Sequence, residues 1–133
     1  MVSKVSIAPI CPTDILSAQC PTREVLDLIA DKWTTLLVVL LSRGTLRFGE
    51  IQRTVGGISQ KMLTQTLRRM EEDGFVMRVI YPEVPPRTEY SLTALGISLK
   101  TPLCALSQWA IENFAEVEIV RKAYARKNAK KNP

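Results

Sequence analysis

Hydrophobic positions along this chain follow two periods, and the change between them divides it into elements. Residues 1–19 show no clear period and read as an arm. From Cys20-Pro21-Thr22 the apolar residues Val25, Leu28 and Ile29 fall at helical spacing, with Pro21 near the first turn, where a missing N–H costs nothing. Asp31-Lys32 interrupts. Trp33 to Ser42 is apolar almost throughout, which predicts a buried helix stopped at Arg43-Gly44. Leu46-Arg47-Phe48 is a short extended or turn piece. Phe48 to Val55 predicts a short helix with Phe48, Ile51 and Val55 on one side. Gly56-Gly57 breaks the chain, Ser59 stands as an N-cap, and Gln60 to Asp73 predicts a longer helix closed by Gly74. The period then shortens. Phe75 to Tyr81 and Arg87 to Leu92 predict strands around the loop Pro82-Glu83-Val84-Pro85-Pro86. Thr93 caps a last helical stretch that Pro102 should break or kink. Leu103, Leu106, Trp109, Ala110, Phe114 and Val117 continue it, and a Lys/Arg/Asn tail follows.

Short helix, tight turn, longer helix and a hairpin with a protruding loop predict a mainly α protein with a small β-hairpin, a winged helix-turn-helix. Its second helix has a divided surface. At ~100° per residue, Leu63, Leu67 and Met70 share one narrow sector, and Lys61, Gln65 and Arg68, flanked by Thr64 and Arg69, share the opposite one. Glu71, Glu72 and Asp73 gather at the far end. That layout suits docking in a DNA major groove, with Ser59, Gln60, Lys61, Thr64, Gln65, Arg68 and Arg69 as the expected contacts: Arg pairs with guanine, Gln with adenine, and hydroxyls reach phosphates. A plain amphipathic helix with a solvated face has the same pattern, and the wing is what tips the reading towards DNA. Arg87, at the base of the wing, is either a phosphate contact or one half of a surface ion pair.

Composition narrows the chemistry. With 133 residues and 46% hydrophobic residues, the chain has the content of one folded domain. It has no histidine, which excludes a Ser-His-Asp or Cys-His apparatus and His-containing metal sites. Cys11, Cys20 and Cys104 are odd in number and scattered, without a C-x-x-C pair, so we expect lone thiols, no metal and no cofactor. The longest apolar run, Leu36–Leu41, is far below the ~20 residues of a membrane helix, and together with the lack of a targeting segment it predicts a cytoplasmic protein. The net charge of +5 comes from the tail: Arg121 to Pro133 holds six basic residues and no acid, leaving 12 basic and 13 acidic residues elsewhere. We therefore divide the chain into an arm (1–19), a winged-helix domain with a C-terminal dimerisation helix (20–117) and a basic tail (118–133). The tail either assists nucleic-acid binding or is a solvated, frayed terminus.

Together these residues resemble the HxlR-type transcriptional regulators, a winged-helix family close to the MarR group. The resemblance is carried by Cys20-Pro21, Asp31-Lys32-Trp33, Leu46-Arg47-Phe48-Gly49-Glu50-Ile51, the run Gly57 to Thr64, Glu72-Asp73-Gly74-Phe75-Val76, the run Tyr81 to Arg87 and the run Glu89 to Thr93. It spans roughly Cys20 to Phe114, with Ala30-Asp31 departing from the glycines the family often shows before Lys-Trp. It implies a homodimeric bacterial regulator binding double-stranded DNA at a pseudo-palindromic operator. Some members of the family resemble redox or electrophile sensors that use a cysteine at the place of Cys20. Physical chemistry gives that residue a second motive, since a helix start lowers a thiol's pKa and Arg23 lies within a turn. Cys20 is therefore the candidate sensor of an oxidant or small-molecule effector, or else a structural helix-start residue. Cys104 is expected in the core or the dimer interface. Leu103, Leu106, Ala110, Phe114 and Val117 offer more apolar face than one small domain needs, and are the expected interface. Two other functional classes make different demands on the sequence. A winged-helix protein-interaction module without DNA binding should show apolar residues where Lys61, Gln65 and Arg68 stand. A thiol-dependent peroxidase or reductase lacks a base and a second nearby cysteine, so the chain is not read as an enzyme.

Overall fold

A computed structural model describes residues 15–131. Its elements are α1 (Thr22–Ile29), α2 (Lys32–Leu41), β1 (Leu46–Arg47), α3 (Phe48–Thr54), α4 (Gln60–Glu72), β2 (Val76–Tyr81), β3 (Arg87–Leu92), α5 (Ala94–Ser98) and α6 (Lys100–Lys131). Helices dominate, and the sheet is small and antiparallel. It has three strands rather than two, in the order β1-β3-β2. The extended piece at Leu46-Arg47 is the third strand, pairing Leu46 with Tyr90 and Arg47 with Glu89. Periodicity could not reveal it, because two residues have no period and their partner lies some 40 positions away.

The apolar α2 is the centre of the domain. Leu37 and Val38 are fully buried, and Leu28, Leu41, Ile51, Leu63, Leu67, Met70 and Phe75 close around them. Its one buried polar side chain near the start, Thr34, donates to the carboxylate of Asp31, which also caps the helix by accepting from the Thr34 N–H at 3.2 Å. A buried hydroxyl is tolerated when it is bonded in this way.

The predicted break near Pro102 occurs, one turn earlier than the proline. Leu99 separates α5 from α6, and Pro102 sits in the first turn of α6, where its absent N–H has no partner to lose. The junction is tight. A Cβ on Gly96 would lie 2.1 Å from the Phe75 carbonyl oxygen, so only glycine lets α5 pass over the start of β2.

The basic tail differs from the expectation of a frayed terminus. Alpha6 runs without a break from Lys100 to Lys131, across the expected boundary at 117/118. Ala123, Ala125 and Ala129, good helix formers interleaved with Lys and Arg, extend it. Residues 1–14 of the expected arm lie outside the described residues.

Candidate nucleic-acid interface

The candidate interface is built by α3, the turn after it and α4. Glu50 accepts from the Arg47 N–H at 2.8 Å and so holds the first turn of α3. The turn reverses at Gly57, with φ of 84°, a conformation nearly reserved for glycine. Ile58 and Val55 are buried on the inner side of that turn. Ser59 then caps α4, its hydroxyl accepting from the Met62 N–H at 3.0 Å. Leu63, Leu67 and Met70 are between 0% and 2% exposed, as the wheel predicts. Burying each is worth roughly 1.5–3 kcal/mol. This face clamps α4 to α2 and leaves the other face to solvent. Thr66 is buried as well, donating to the Met62 carbonyl at 2.8 Å. The wheel did not single it out, since its polar label conceals a methyl group that packs.

On the outer face the structure brings together every predicted α4 residue. Ser59, Gln60, Lys61, Thr64, Gln65, Arg68 and Arg69 are all exposed. Among the described residues none of Lys61, Arg68 and Arg69 has an ion-pair partner. The acids at the far end are held apart from them: Glu71 turns to Arg78 on β2 at 3.3 Å. Thr64 spends its hydroxyl proton on the Gln60 carbonyl at 2.8 Å, so it can only accept from a ligand or contact it through its methyl.

Arg87 behaves differently from the others. Its guanidinium lies 3.3 Å from Glu83 and 3.5 Å from Glu89, and 4.1 Å above the ring of Tyr81, its register partner across the hairpin. Of the two readings of Arg87, the geometry favours the ion pair: two carboxylates and an aromatic face compete with any phosphate. Its role is to fix the base of the wing, whose tip residue Val84 is fully exposed. A groove of about 380 Å³ between the wing and the start of α3 is lined by Arg47, Phe48, Gly49 and residues 83–88. Arg47, at the end of β1, and Arg53, on α3, are exposed cations without an ion pair among the described residues, and neither was singled out from the sequence. For Arg53 the available signal was the phase of the helix starting at Phe48, which places it away from Ile51; Arg47 precedes that helix and has no such signal.

The cysteines differ from three lone thiols. Cys20 is 7% exposed and joined in a disulfide, whereas Cys104 is a free, half-buried thiol. Cys11 lies outside the described residues. The reactive thiolate weighed against a structural residue at Cys20 is thus corrected: the sulfur is buried and bonded, and Arg23 donates to the Leu16 carbonyl at 3.3 Å. The expected interface is corrected in one place too. Leu103 is 4% exposed and belongs to the core, because α6 docks on α2 there. Leu106 at 56% and Phe114 at 58% remain exposed, Ala110 is exposed, and Val117 is half-buried. Trp109, left unassigned by the pattern, is also outside the core.

The HxlR-like helix-turn-helix model matches residues 28–118. The chain belongs to that family. It is 45% identical over 108 residues to YtfH, an HTH-type transcriptional regulator of Escherichia coli strain K12, covering 81% of this chain and 86% of YtfH. The solved structure of the transcriptional regulator YtfH from Salmonella typhimurium superposes with a TM-score of 0.77 at 44% identity, covering 82% of this chain and 97% of that one. The redox regulator HypR in its reduced form gives 0.68 at 39% identity, covering 74% and 97%. The protein is therefore a winged helix-turn-helix regulator of the HxlR-like family, and among its described residues no helix is long and apolar enough to cross a membrane.

Proposed function

We propose that this HxlR-like regulator acts in the cytoplasm as a homodimer that binds double-stranded DNA in a sequence-specific way at a pseudo-palindromic operator, with Ser59, Gln60, Lys61, Gln65, Arg68 and Arg69 of α4 meeting the major groove and Thr64 accepting or packing beside them. The observation that carries this reading is the outer face of α4: three cations without ion-pair partners and two amides stand on a helix locked to the core by its opposite side. A protein-interaction module would carry apolar residues there, and Met62 alone among them is half-exposed, at 39%. The test is selection of duplexes from a random pool by the purified protein, followed by titration with Arg68→Ala. A base-reading Arg68 loses affinity on the selected site only, whereas a phosphate-contacting one loses it on all duplexes and lowers the salt slope by about one. Failure to enrich any sequence refutes the reading.

The dimer would use the exposed Leu106, Ala110 and Phe114 with the half-buried Val117, and would set two α4 helices about one DNA turn apart, ~34 Å. DNA binding is read as responsive to oxidant through Cys20. Its disulfide and the likeness to a redox regulator support this reading. The switch is the two-electron reduction of that disulfide to two thiols by a thiol reductant, which frees the start of α1 against the core. Operator affinity should differ between reduced and oxidised protein, and a Cys20→Ser variant should be indifferent to the reductant. Equal responses of parent and variant reject Cys20 as the sensor.

A further inference from the structure

We propose that the cavity between the end of α2, the end of β3 and the junction of α5 with α6 binds a small organic carboxylate, and that its occupancy changes operator affinity. The second half of this statement rests on the regulator reading above; the first half does not.

The cavity holds about 320 Å³, at the small end of the roughly 300–1,000 Å³ of ligand sites. Its opening follows from the strand register. The pairing of β1 with β3 ends at Leu46 and Tyr90, so Thr45 and Ser91, next in line, part there and stand on the cavity lining. The apolar wall is Leu41 from α2, Leu92 from β3 and Ile97 from α5. Leu41 is buried, whereas Ile97 is 56% exposed, so one side of the wall stays wet unless a ligand covers it.

The polar groups around this wall are donors. A helix end ordinarily leaves its last four carbonyl oxygens free to accept. At the end of α2 all of them are taken. Val38 accepts from the Ser42 N–H at 2.9 Å and Val39 from the Ser42 hydroxyl at 2.6 Å. Leu40 and Leu41 accept from the N–H groups of Arg43 and Gly44, each at 3.1 Å. Gly44 closes this turn at a φ of 143°, which a side chain would oppose. What remains on the lining is the guanidinium of Arg43, the ammonium of Lys100 and the hydroxyls of Thr45 and Ser91. Among the described residues no Asp or Glu lines the cavity, and neither Arg43 nor Lys100 has an ion-pair partner.

Two unopposed cations beside an apolar wall select an anion with an apolar body. Sulfate would answer the charges and leave Leu41, Leu92 and Ile97 uncovered. An amine or an alcohol would cover the wall and leave the charges unanswered. A carboxylate is planar and takes two parallel hydrogen bonds from a guanidinium fork, with Lys100 adding a point charge. The volume restricts its body to a short chain or a single ring. The position gives such a ligand leverage. Arg43 and Thr45 lead from the central helix into β1 and α3, and Lys100 opens α6, which docks on α2 through Leu103. A carboxylate held between Arg43 and Lys100 ties these two parts together and sets the angle at which α6 leaves the domain. In a dimer held by α6, that angle sets the separation of the two α4 helices. A ligand that favours one angle shifts operator affinity by its preference for that angle.

Calorimetric titration of the full chain without DNA reads the site, with hexanoate and benzoate as probes and sulfate, hexylamine and benzyl alcohol as controls. Saturable binding of the carboxylates at millimolar concentration or below is expected, with no comparable binding of the controls. Arg43→Gln should weaken hexanoate binding by about tenfold or more, as loss of a charge-assisted pair requires. Arg43→Lys keeps the charge without the fork and should weaken it less. Both variants alter an exposed side chain, and their circular dichroism should match the parent. No saturable binding of either carboxylate, sulfate binding as tight as hexanoate, or undiminished binding by Arg43→Gln overturns the proposal. Affinity for a selected duplex is then measured with and without saturating hexanoate. A shift in the parent that Arg43→Gln lacks is expected, and no shift in the parent overturns the regulatory half. A chain that binds hexanoate and selects no duplex refutes the DNA reading and leaves the carboxylate site standing.

Discussion

The two long helices, α4 and α6, both carry an apolar stripe, and they end in opposite situations. Every apolar stripe residue of α4 is at most 2% exposed, and its polar face points outward. Beyond Leu103, the stripe of α6 is more than half exposed at Leu106, Trp109, Phe114, Val120 and Tyr124. The difference is a matter of length and neighbours. Alpha4 has 13 residues and buries one face along its whole length, whereas α6 has 32 residues and docks on α2 only near its start. One helix completes its burial within the chain and is free to present chemistry. The other leaves its burial unfinished, which is the mark of an interface.

The sharpest way to break that contrast is to hollow each stripe in turn. Leu67→Ala should cost about 3 kcal/mol of unfolding free energy in urea, independent of protein concentration, because the cavity is inside the fold. Phe114→Ala should cost little in dilute protein and show its effect only through the concentration dependence of the transition midpoint. If both variants behave alike, the two stripes are equivalent and the contrast is false. Next in size is Arg68→Ala, which should weaken binding to a selected operator by about 2 kcal/mol, read by fluorescence anisotropy. Stability should move by less than about 0.5 kcal/mol, since the side chain is exposed and without an ion pair. Ser59→Ala should remove about 1 kcal/mol by uncapping α4, measured by thermal melting; a neutral effect would show that packing alone sets where the helix begins.

The smallest effect concerns Tyr90, where β1 and β3 meet. Burial pushes its hydroxyl above the ordinary value of 10.0, with Arg78 pulling it down and Glu71 raising it further. The unfolded chain therefore releases the proton first, and stability is intact below pH 10 and falls as pH rises from there through the folded value. Tyr90→Phe should flatten this loss in alkaline melts. An unchanged alkaline slope would assign it to other groups.

The order of elements, the cap at Ser59, the closure of α4 at Gly74 and the division of α4 into core and outer faces were legible in the sequence, because each depends on neighbours within a few residues. Local spacing sets helical period, capping and turn conformation, and the physics acts at that range. The two-residue strand β1, the enclosure of Arg87 by Glu83, Glu89 and Tyr81, the burial of Leu103 and the bonded state of Cys20 were decided only by tertiary structure. For β1 and Leu103 the deciding partner is on another strand or another helix, and although Glu83 and Glu89 are within four residues of Arg87, only the bend of the hairpin brings both carboxylates and the Tyr81 ring to one guanidinium. The same reason separates the two ends of α6. Its stripe could be read from the chain, but which turns face the domain's own core and which face outward depended on where α2 stops.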